Sequence, residues 1–301
     1  VENKMILKSL LYSAVKPLPI NLVYNQSSPV LLYHSIGKET DFKRNIDHID
    51  LDFLENHIRE LKKKWKFVSI DEYSQASSKK GLASITIDDG YKNIINEAIS
   101  VFENYNIPIT IFINSATFNG YIFWRDKIRY IIQHNLVKEF IKHSKNPKYN
   151  SKHINDEIDT FFKKKNISLA KSLCFDSKKY LIKHPLISYG NHTVHHYVLS
   201  SLNGEQQFDE ICECQNYIKS YNINLSNIFS IPFGGRNTFN KITEDIIKEL
   251  GFNGVLLSEN KLNRQESSFY IDRFMLRECG VNKIIKYLFL KQFLKNKLKF
   301  L

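Results

Sequence analysis

A chain of 301 residues, 43% hydrophobic and 25% charged, has an ordinary folded composition and is long enough for one large α/β domain or two modest ones. Its net charge of +12 comes almost wholly from lysines spread along the chain. No nucleic-acid motif accompanies them, so nucleic acid is set aside as a partner, while an anionic membrane surface, an anionic substrate or a merely lysine-rich composition all fit. Cys174, Cys212, Cys214 and Cys279 show no CxxC spacing, which excludes a disulfide framework and a thiolate zinc site.

The amino-terminal MILKSLLYSAVKPLPI is interrupted by Lys8 and Lys16 and lacks a cleavage site. It reads as an extension over 1–28 rather than a signal peptide. No run of about 18 apolar residues occurs, so no membrane-spanning helix is expected. Location is therefore expected to be cytoplasmic or membrane-peripheral, with export to the cell surface as the alternative. Val30–Tyr33 predicts a short strand after Pro29, delivering His34 and Ser35 at its end. Residues 38–50 are polar loop. Phe53, Leu54, His57, Ile58 and Leu61 mark an amphipathic helix, and Phe67–Ile70 a second strand before the acidic turn Asp71-Glu72.

Ala83, Ile85 and Ile87 alternate with Ser84 and Thr86 and predict a buried strand. It ends in Asp88 and Asp89, and Gly90 supplies a permissive turn. Ile94, Ile95, Ala98, Val101 and Phe102 lie at helical spacing, and Ile107–Asn114 is another buried strand. Strand, helix and strand make a βαβ unit, with the acidic pair at the carboxyl end of its first strand, where parallel folds bind ligands. Alone, such a pair reads more readily as a helix N-cap.

Between 121 and 184 three helical pieces are expected, FWRDKIRYIIQH, KHINDEIDTFFKKKN and SLAKSLCFDSKKYLIKH. This stretch is too long for an ordinary connection and reads as a helical insertion or lid. Leu186–Tyr189 then predicts a strand that runs into Gly190-Asn191-His192-Thr193-Val194-His195-His196. Helix Glu205–Tyr221 follows, with Phe208, Ile211, Cys212, Gln215 and Ile218 on one face. After it come strand Ile228–Ile231, the turn Pro232-Phe233-Gly234-Gly235, helix Ile242–Leu250, strand Val255–Leu257 and a last strand near Arg273–Leu276. Seven or eight strands separated mostly by helices favour an α/β fold of the (β/α) barrel type over an open sheet. Residues 281–301 carry six lysines and no acids, with Ile284, Leu288, Phe293 and Leu294 among them. This basic amphipathic helix either lies on an anionic bilayer as a peripheral contact or closes the barrel with its lysines outward. Nothing in the sequence specifies an oligomeric state.

His192 and His196, four apart, would share one face of a helical turn. With one carboxylate they form a donor set for a divalent metal, zinc first, with cobalt, nickel or iron as alternatives. The competing reading is a chance histidine cluster on a surface turn. It is outweighed because the histidine run and the Asp pair each follow a buried strand. His195 is expected at the surface or behind the site. The Phe233 N–H would aim at a developing oxyanion, although an ordinary turn is the stronger reading of that motif taken alone.

Thr86-Ile87-Asp88-Asp89-Gly90 matches T-F-D-D-G, His192–His196 matches H-[ST]-x-x-H, and Ser230-Ile231-Pro232-Phe233-Gly234 partly matches R-x-P-[YF]-G. On these motifs, with the opening LLYHSI and the segment IPITIFIN, the chain from about Val30 to Leu257 resembles the polysaccharide deacetylases with the NodB homology domain, the family-4 carbohydrate esterases. The resemblance implies a distorted (β/α)7 barrel over 29–280, with 121–184 as its helical insertion. It implies a divalent metal held by Asp89, His192 and His196, and Asp88 as the base that deprotonates the attacking water. It implies a hydrolase that removes an N-acetyl group from an amino sugar of a surface polysaccharide or its precursor, with an N-acetylated glycan as partner. Trp124 and the Pro232-Phe233-Gly234 turn are the expected substrate or oxyanion contacts.

Two positions depart from the family pattern. Ser230 stands where an arginine usually orients the base, and Ser258 follows Leu257 where an L-x-H histidine usually serves as acid. A branch acting on poly-N-acetylglucosamine-like polymers lacks both and is the one this chain resembles most. Of the ten histidines, only His34 directly follows a buried strand, and that branch uses a histidine in its first-strand motif, so His34 is the expected acid. The alternatives are a deformylase or deacetylase of a lipid-linked sugar, and a glycan-binding homologue with a decayed site.

Overall fold

Runs of Ile, Val, Leu and Phe that are buried on both faces form parallel strands, because a parallel sheet needs helices over it. The computed structural model describes residues 27–38, 47–169, 172–263, 268–276 and 280–297. The strands are β1 (Val30–Tyr33), β2 (Ser35–Ile36), β3 (His48–Ile49), β4 (Lys66–Phe67), β5 (Leu82–Ile87), β6 (Ile109–Ile113), β7 (Ile187–Asn191), β8 (Leu225–Ser230), β9 (Gly254–Leu257), β10 (Tyr270–Asp272) and β11 (Phe274–Met275). The helices are α1 (Leu51–Lys62), α2 (Ile70–Gln75), α3 (Ile99–Asn104, entered through a π-helical turn Ile94–Ala98), α4 (Trp124–Gln133), α5 (Lys138–His143), α6 (Ser151–Lys164), α7 (Gly204–Lys219), α8 (Lys241–Glu249) and α9 (Val281–Lys297).

The sheet runs β10-β9-β8-β7-β6-β5-β1-β11, every pair parallel. Its two ends, β10 and β11, are separated only by Arg273, so the ring closes through that residue. Counting β10 and β11 as one bent stave gives the distorted (β/α)7 barrel that the family resemblance implies. Alternation along β5 sorts the two faces. Ala83, Ile85 and Ile87 join the outer core with Leu54 and Ile58 of α1, while Thr86 hydrogen-bonds the Leu31 carbonyl at 2.7 Å. Val30, Phe112, Ile228, Leu256 and Ile271 form a smaller apolar cluster, which Ile70 and Tyr73 of α2 join.

Three local expectations are corrected. The strand expected over Phe67–Ile70 stops at Phe67, because the Ser69 hydroxyl accepts the Glu72 N–H and caps α2. The insertion holds helices α4, α5 and α6. Among the described residues of the third expected piece, only a single 3-10 turn, Lys178–Tyr180, is helical. The backbone ahead of it is instead tied to the strand-end turn, with Phe175 N–H on the Gly90 carbonyl at 2.8 Å and Lys92 N–H on the Leu173 carbonyl at 3.0 Å. On α7 the buried face is Gln207, Glu210, Ile211, Cys214, Gln215 and Ile218, and Phe208 is exposed, because the helix turns its polar groups toward the histidine loop. The first half of α9 packs on the barrel, with Val281, Ile285 and Leu288 buried in the same core as α1. The side chains of Phe293 and Leu294, like the extension up to residue 26, lie outside the described residues. Among those described, no helix is long and apolar enough to cross a membrane.

Gly190 on β7 faces the ring of Phe112, which occupies the space a Cβ would need. Gly190→Ala is expected to destabilise the protein by about 1–3 kcal/mol through overpacking, measured by urea denaturation. Phe112→Leu in the same chain should recover part of the loss.

Candidate active site

Parallel register decides which residues meet at the carboxyl edge. Tyr33 of β1 pairs with Ile87 of β5, and the Asp88 N–H donates to the Tyr33 carbonyl at 2.9 Å. His34 and Asp88 therefore leave adjacent strands at one level. Ile113 pairs with Asn191 and Asn191 with Phe229, which brings His192 and Ser230 to the same edge.

Asp88 is buried and gripped from the last stave. Arg273 Nη1 donates to its Oδ1 at 2.8 Å and Nη2 to its Oδ2 at 2.7 Å. The same guanidinium reaches Thr86 Oγ1 at 3.3 Å, Ser230 Oγ at 3.0 Å, Ser258 Oγ at 3.1 Å and the Leu257 carbonyl at 3.2 Å. Ser230 Oγ also donates to Asp88, 3.2 Å from Oδ1. Burial alone would raise the Asp88 pKa; the Arg273 charge, with help from His192 and the Arg273 hydrogen bonds, overcomes it and holds the carboxyl at about 2. The result is a carboxylate that is ionised at neutral pH and held in one orientation.

Asp89 beside it has φ 71°, a left-handed conformation in which a non-glycine residue is uncommon. Its Oδ1 lies 3.6 Å from His192 Nε2 and 3.5 Å from His196 Nε2, and it is buried with no hydrogen-bond partner among the described residues. The ligand atoms of Asp89, His192 and His196 all lie within 4.8 Å of one another. Donating from Nδ1 to the Ser230 carbonyl at 2.8 Å leaves His192 with its Nε2 lone pair toward Asp89. Burial, then the neighbouring His192 and Arg125, hold His196 well below the usual imidazole range. One carboxylate and two imidazoles with an orphaned buried oxygen between them fit a divalent cation.

The two histidines do not sit on a helical turn, as their spacing suggests. Thr193 and His196 have φ of 68° and 62°, and the run is a loop held by side chains. Asn191 Oδ1 accepts the Thr193 N–H at 2.8 Å and Thr193 Oγ1 the His196 N–H at 2.9 Å. Glu210 of α7 takes the His195 N–H at 2.8 Å and its Nδ1 at 2.6 Å, which places His195 behind the site. These bonds replace the helical ones the backbone would otherwise need.

Trp124, expected as a substrate contact, is 2% exposed, and its indole N–H donates to the His196 carbonyl at 3.0 Å; it braces the loop. Of the turn, Phe233 lines the cleft, and its ring centroid is 4.7 Å from that of His196. Pro232 is buried behind it. Gly234, φ 63°, packs so tightly on Ser258 that a Cβ has no room. The cleft measures about 540 Å³ and is also lined by His34, Asp88, Asp89, His192 and His196, a size suited to a small ligand or one sugar unit. Arg125, Arg129 and Lys145, from the insertion, line it too.

A family model described as polysaccharide deacetylase matches residues 75–255, more than half of the chain. The chain belongs to the polysaccharide deacetylase family. No curated protein matches it in sequence. Among solved structures, a de-N-acetylase from Aggregatibacter actinomycetemcomitans is similar at TM-score 0.58 and 17% identity, covering 86% of this chain and 99% of that one. IcaB from Ammonifex degensii gives 0.57 and 15%, with 87% and 97% covered. The Streptococcus pyogenes deacetylase PplD, in complex with acetate, gives 0.55 and 14%, with 87% and 98% covered. At these identities the likeness is one of fold.

His34 and Arg273 both fall outside the span of the family match. No motif marks Arg273, although an arginine beside Asp272 in the otherwise largely apolar stretch Phe269–Leu276 was a usable signal, since charge in a buried strand needs a partner. The guanidinium missing at position 230 is supplied from position 273, and Ser230 and Ser258 leave room for it and bond to it. Arg273→Met is expected to lower stability by about 3–5 kcal/mol, because Asp88 is left buried and uncompensated. Arg273→Lys, which cannot fork onto both oxygens, should retain part of that stability. A loss under 1 kcal/mol for Arg273→Met by chemical denaturation would show that Asp88 finds another partner.

Proposed function

We propose that this protein, whose family membership supports deacetylation of a polysaccharide, is a metal-dependent N-deacetylase that hydrolyses the acetamide of an amino sugar in a surface glycan or its precursor. The observation that carries the reading is the pairing of two differently conditioned carboxylates: Asp89 stands orphaned against two imidazoles while Asp88, next in sequence, is fully engaged by Arg273. Asp89, His192 and His196 would hold the cation, zinc being the first choice for this donor set. Bound there, a divalent cation supplies Lewis acidity toward the attacking water and the carbonyl oxygen, so that a carboxylate as weakly basic as Asp88 suffices.

In this reading Asp88 takes the water proton on a carboxylate oxygen while Arg273 and Ser230 keep it aimed. The water oxygen adds to the amide carbon, the carbonyl oxygen taking the negative charge; collapse of that tetrahedral adduct then breaks the C–N bond and gives acetate and a free amine. His34 delivers a proton to the departing nitrogen, which supports its assignment as acid: it lines the cleft, and its Nδ1 is buried without a partner among the described residues. The Phe233 backbone N–H, in the left-handed turn, is the proposed donor to the oxyanion. The de-N-acetylase that shares the fold supports an N-acetyl group as the one removed.

Purified protein is expected to hold about one divalent ion per chain and to lose it in His192→Ala or Asp89→Ala. Asp88→Asn should keep the ion while acetate release from N-acetylglucosamine oligomers falls by roughly two orders of magnitude or more. Wild-type metal content in His192→Ala would remove the site from the scheme. His34→Asn should likewise keep the ion and lose roughly a hundred-fold or more in rate; activity within a few-fold of wild type would assign the amine's proton to another group.

A further inference from the structure

A buried polar group without a partner in a cleft wall marks where a ligand's polar group belongs. Arg125, in the first turn of α4, is 8% exposed and lines the cleft. Its Nη1 has no hydrogen-bond partner among the described residues. The guanidinium lies 4.9 Å from the Trp124 ring centroid and 5.1 Å from that of Phe233. Such stacking fixes the plane and leaves the N–H edge for another group. Lys145 Nζ lies 5.7 Å from the same Phe233 ring, so two like charges converge on one aromatic side chain.

Of the carboxylates nearby, Asp47 lines the same cleft and attracts Lys145, while two others are paired with different arginines. Arg129 pairs with Asp126 at 2.7 Å, and Arg273 with Asp88 at 2.7 Å. Asp89 and Asp126 both offset Arg125; a cation held by Asp89 would claim one of those charges and leave a buried guanidinium less than fully balanced, which is costly. Burial, ahead of repulsion from Arg129, already pushes the Arg125 guanidinium down to about 9.

We propose that this wall is a subsite for an oxyanion, phosphate or carboxylate, carried by the glycan, bound through Arg125 Nη1 with Lys145 beside it. The preferred substrate is then an N-acetylated sugar with an acidic group near the scissile amide. The nature of the substrate rests on the deacetylase reading, but the anion site is measurable by binding alone.

The test is calorimetric titration of the metal-loaded protein with three N-acetylglucosamine tetramers: unmodified, bearing one phosphate monoester, and bearing one carboxylate. The wild type should bind an acidic tetramer about ten-fold or more tighter than the neutral one, the scale of one charged hydrogen bond. Which acidic tetramer wins distinguishes phosphate from carboxylate. Arg125→Gln should bring the ratio to within about three-fold of unity, and Lys145→Gln, at an exposed position, should lower it by about half on a logarithmic scale. Equal affinity of the wild type for all three, or a ratio that survives in folded Arg125→Gln, overturns the proposal. If Arg125→Gln does not fold, an unchanged ratio in Lys145→Gln overturns it. Acetate release is read separately: acid-selective binding without release from any tetramer keeps the anion site and removes the deacetylase reading.

Discussion

The forked ion pair between Arg273 and Asp88 is the contact on which barrel and site both depend. Arg273 occupies the single position between β10 and β11 where the ring closes, and it is fully buried. A buried guanidinium is tolerable only when its donors are met. Here they are met by Asp88, Thr86, Ser230, Ser258 and the Leu257 carbonyl, groups drawn from β5 and from the ends of β8 and β9. The pair thus fastens the closing stave to the strand that carries the chemistry. Barrel closure and the ionisation state of Asp88 are set by one interaction.

Around that pair, backbone strain is gathered at the carboxyl edge. Asp89, Thr193, His196 and Phe233 all adopt left-handed φ, each in one of the three motif loops. Such conformations persist only where the surroundings over-determine them. The surroundings here are side-chain bonds from Asn191, Thr193 and Glu210 and the indole of Trp124. Trp124, expected as a substrate contact, and His195, expected at the surface or behind the site, both bond within this framework and hold the histidine loop bent. The rigid strands give positions, and these braces give directions.

The insertion contributes a different property. Helix α4 brings Arg125 and Arg129 over the mouth, and Lys145 follows α5. Only Arg129 of the three has a carboxylate from its own helix, Asp126, against it. The barrel therefore supplies the reacting groups, and the insertion supplies a charged wall that selects what approaches them. This division fits a scaffold whose chemistry is fixed by strand ends and whose specificity lies in connecting segments.

Much of this was legible in the residues themselves. Period-two alternation and β-branched runs gave the strands, and the position of Asp88-Asp89, His192–His196 and Phe233-Gly234 just after three of them put those side chains on one edge, because parallel strands share one direction. The sequence also carried the family through its motifs. It did not give the loop around His192 and His196, since four-residue spacing is helical by default and the bonds that override it come from Asn191 and Glu210. Nor did it give the outward turn of Phe208, which follows from polar residues of α7 being needed inside. Above all it could not give Arg273: a guanidinium far along the chain replaces one absent at position 230, and only closure of the ring brings β11 back against β1, one strand from β5. Local pattern determines which residues lie at strand ends; long-range closure decides which of them touch, and so which charges are paired and which, like Arg125, are left for a ligand.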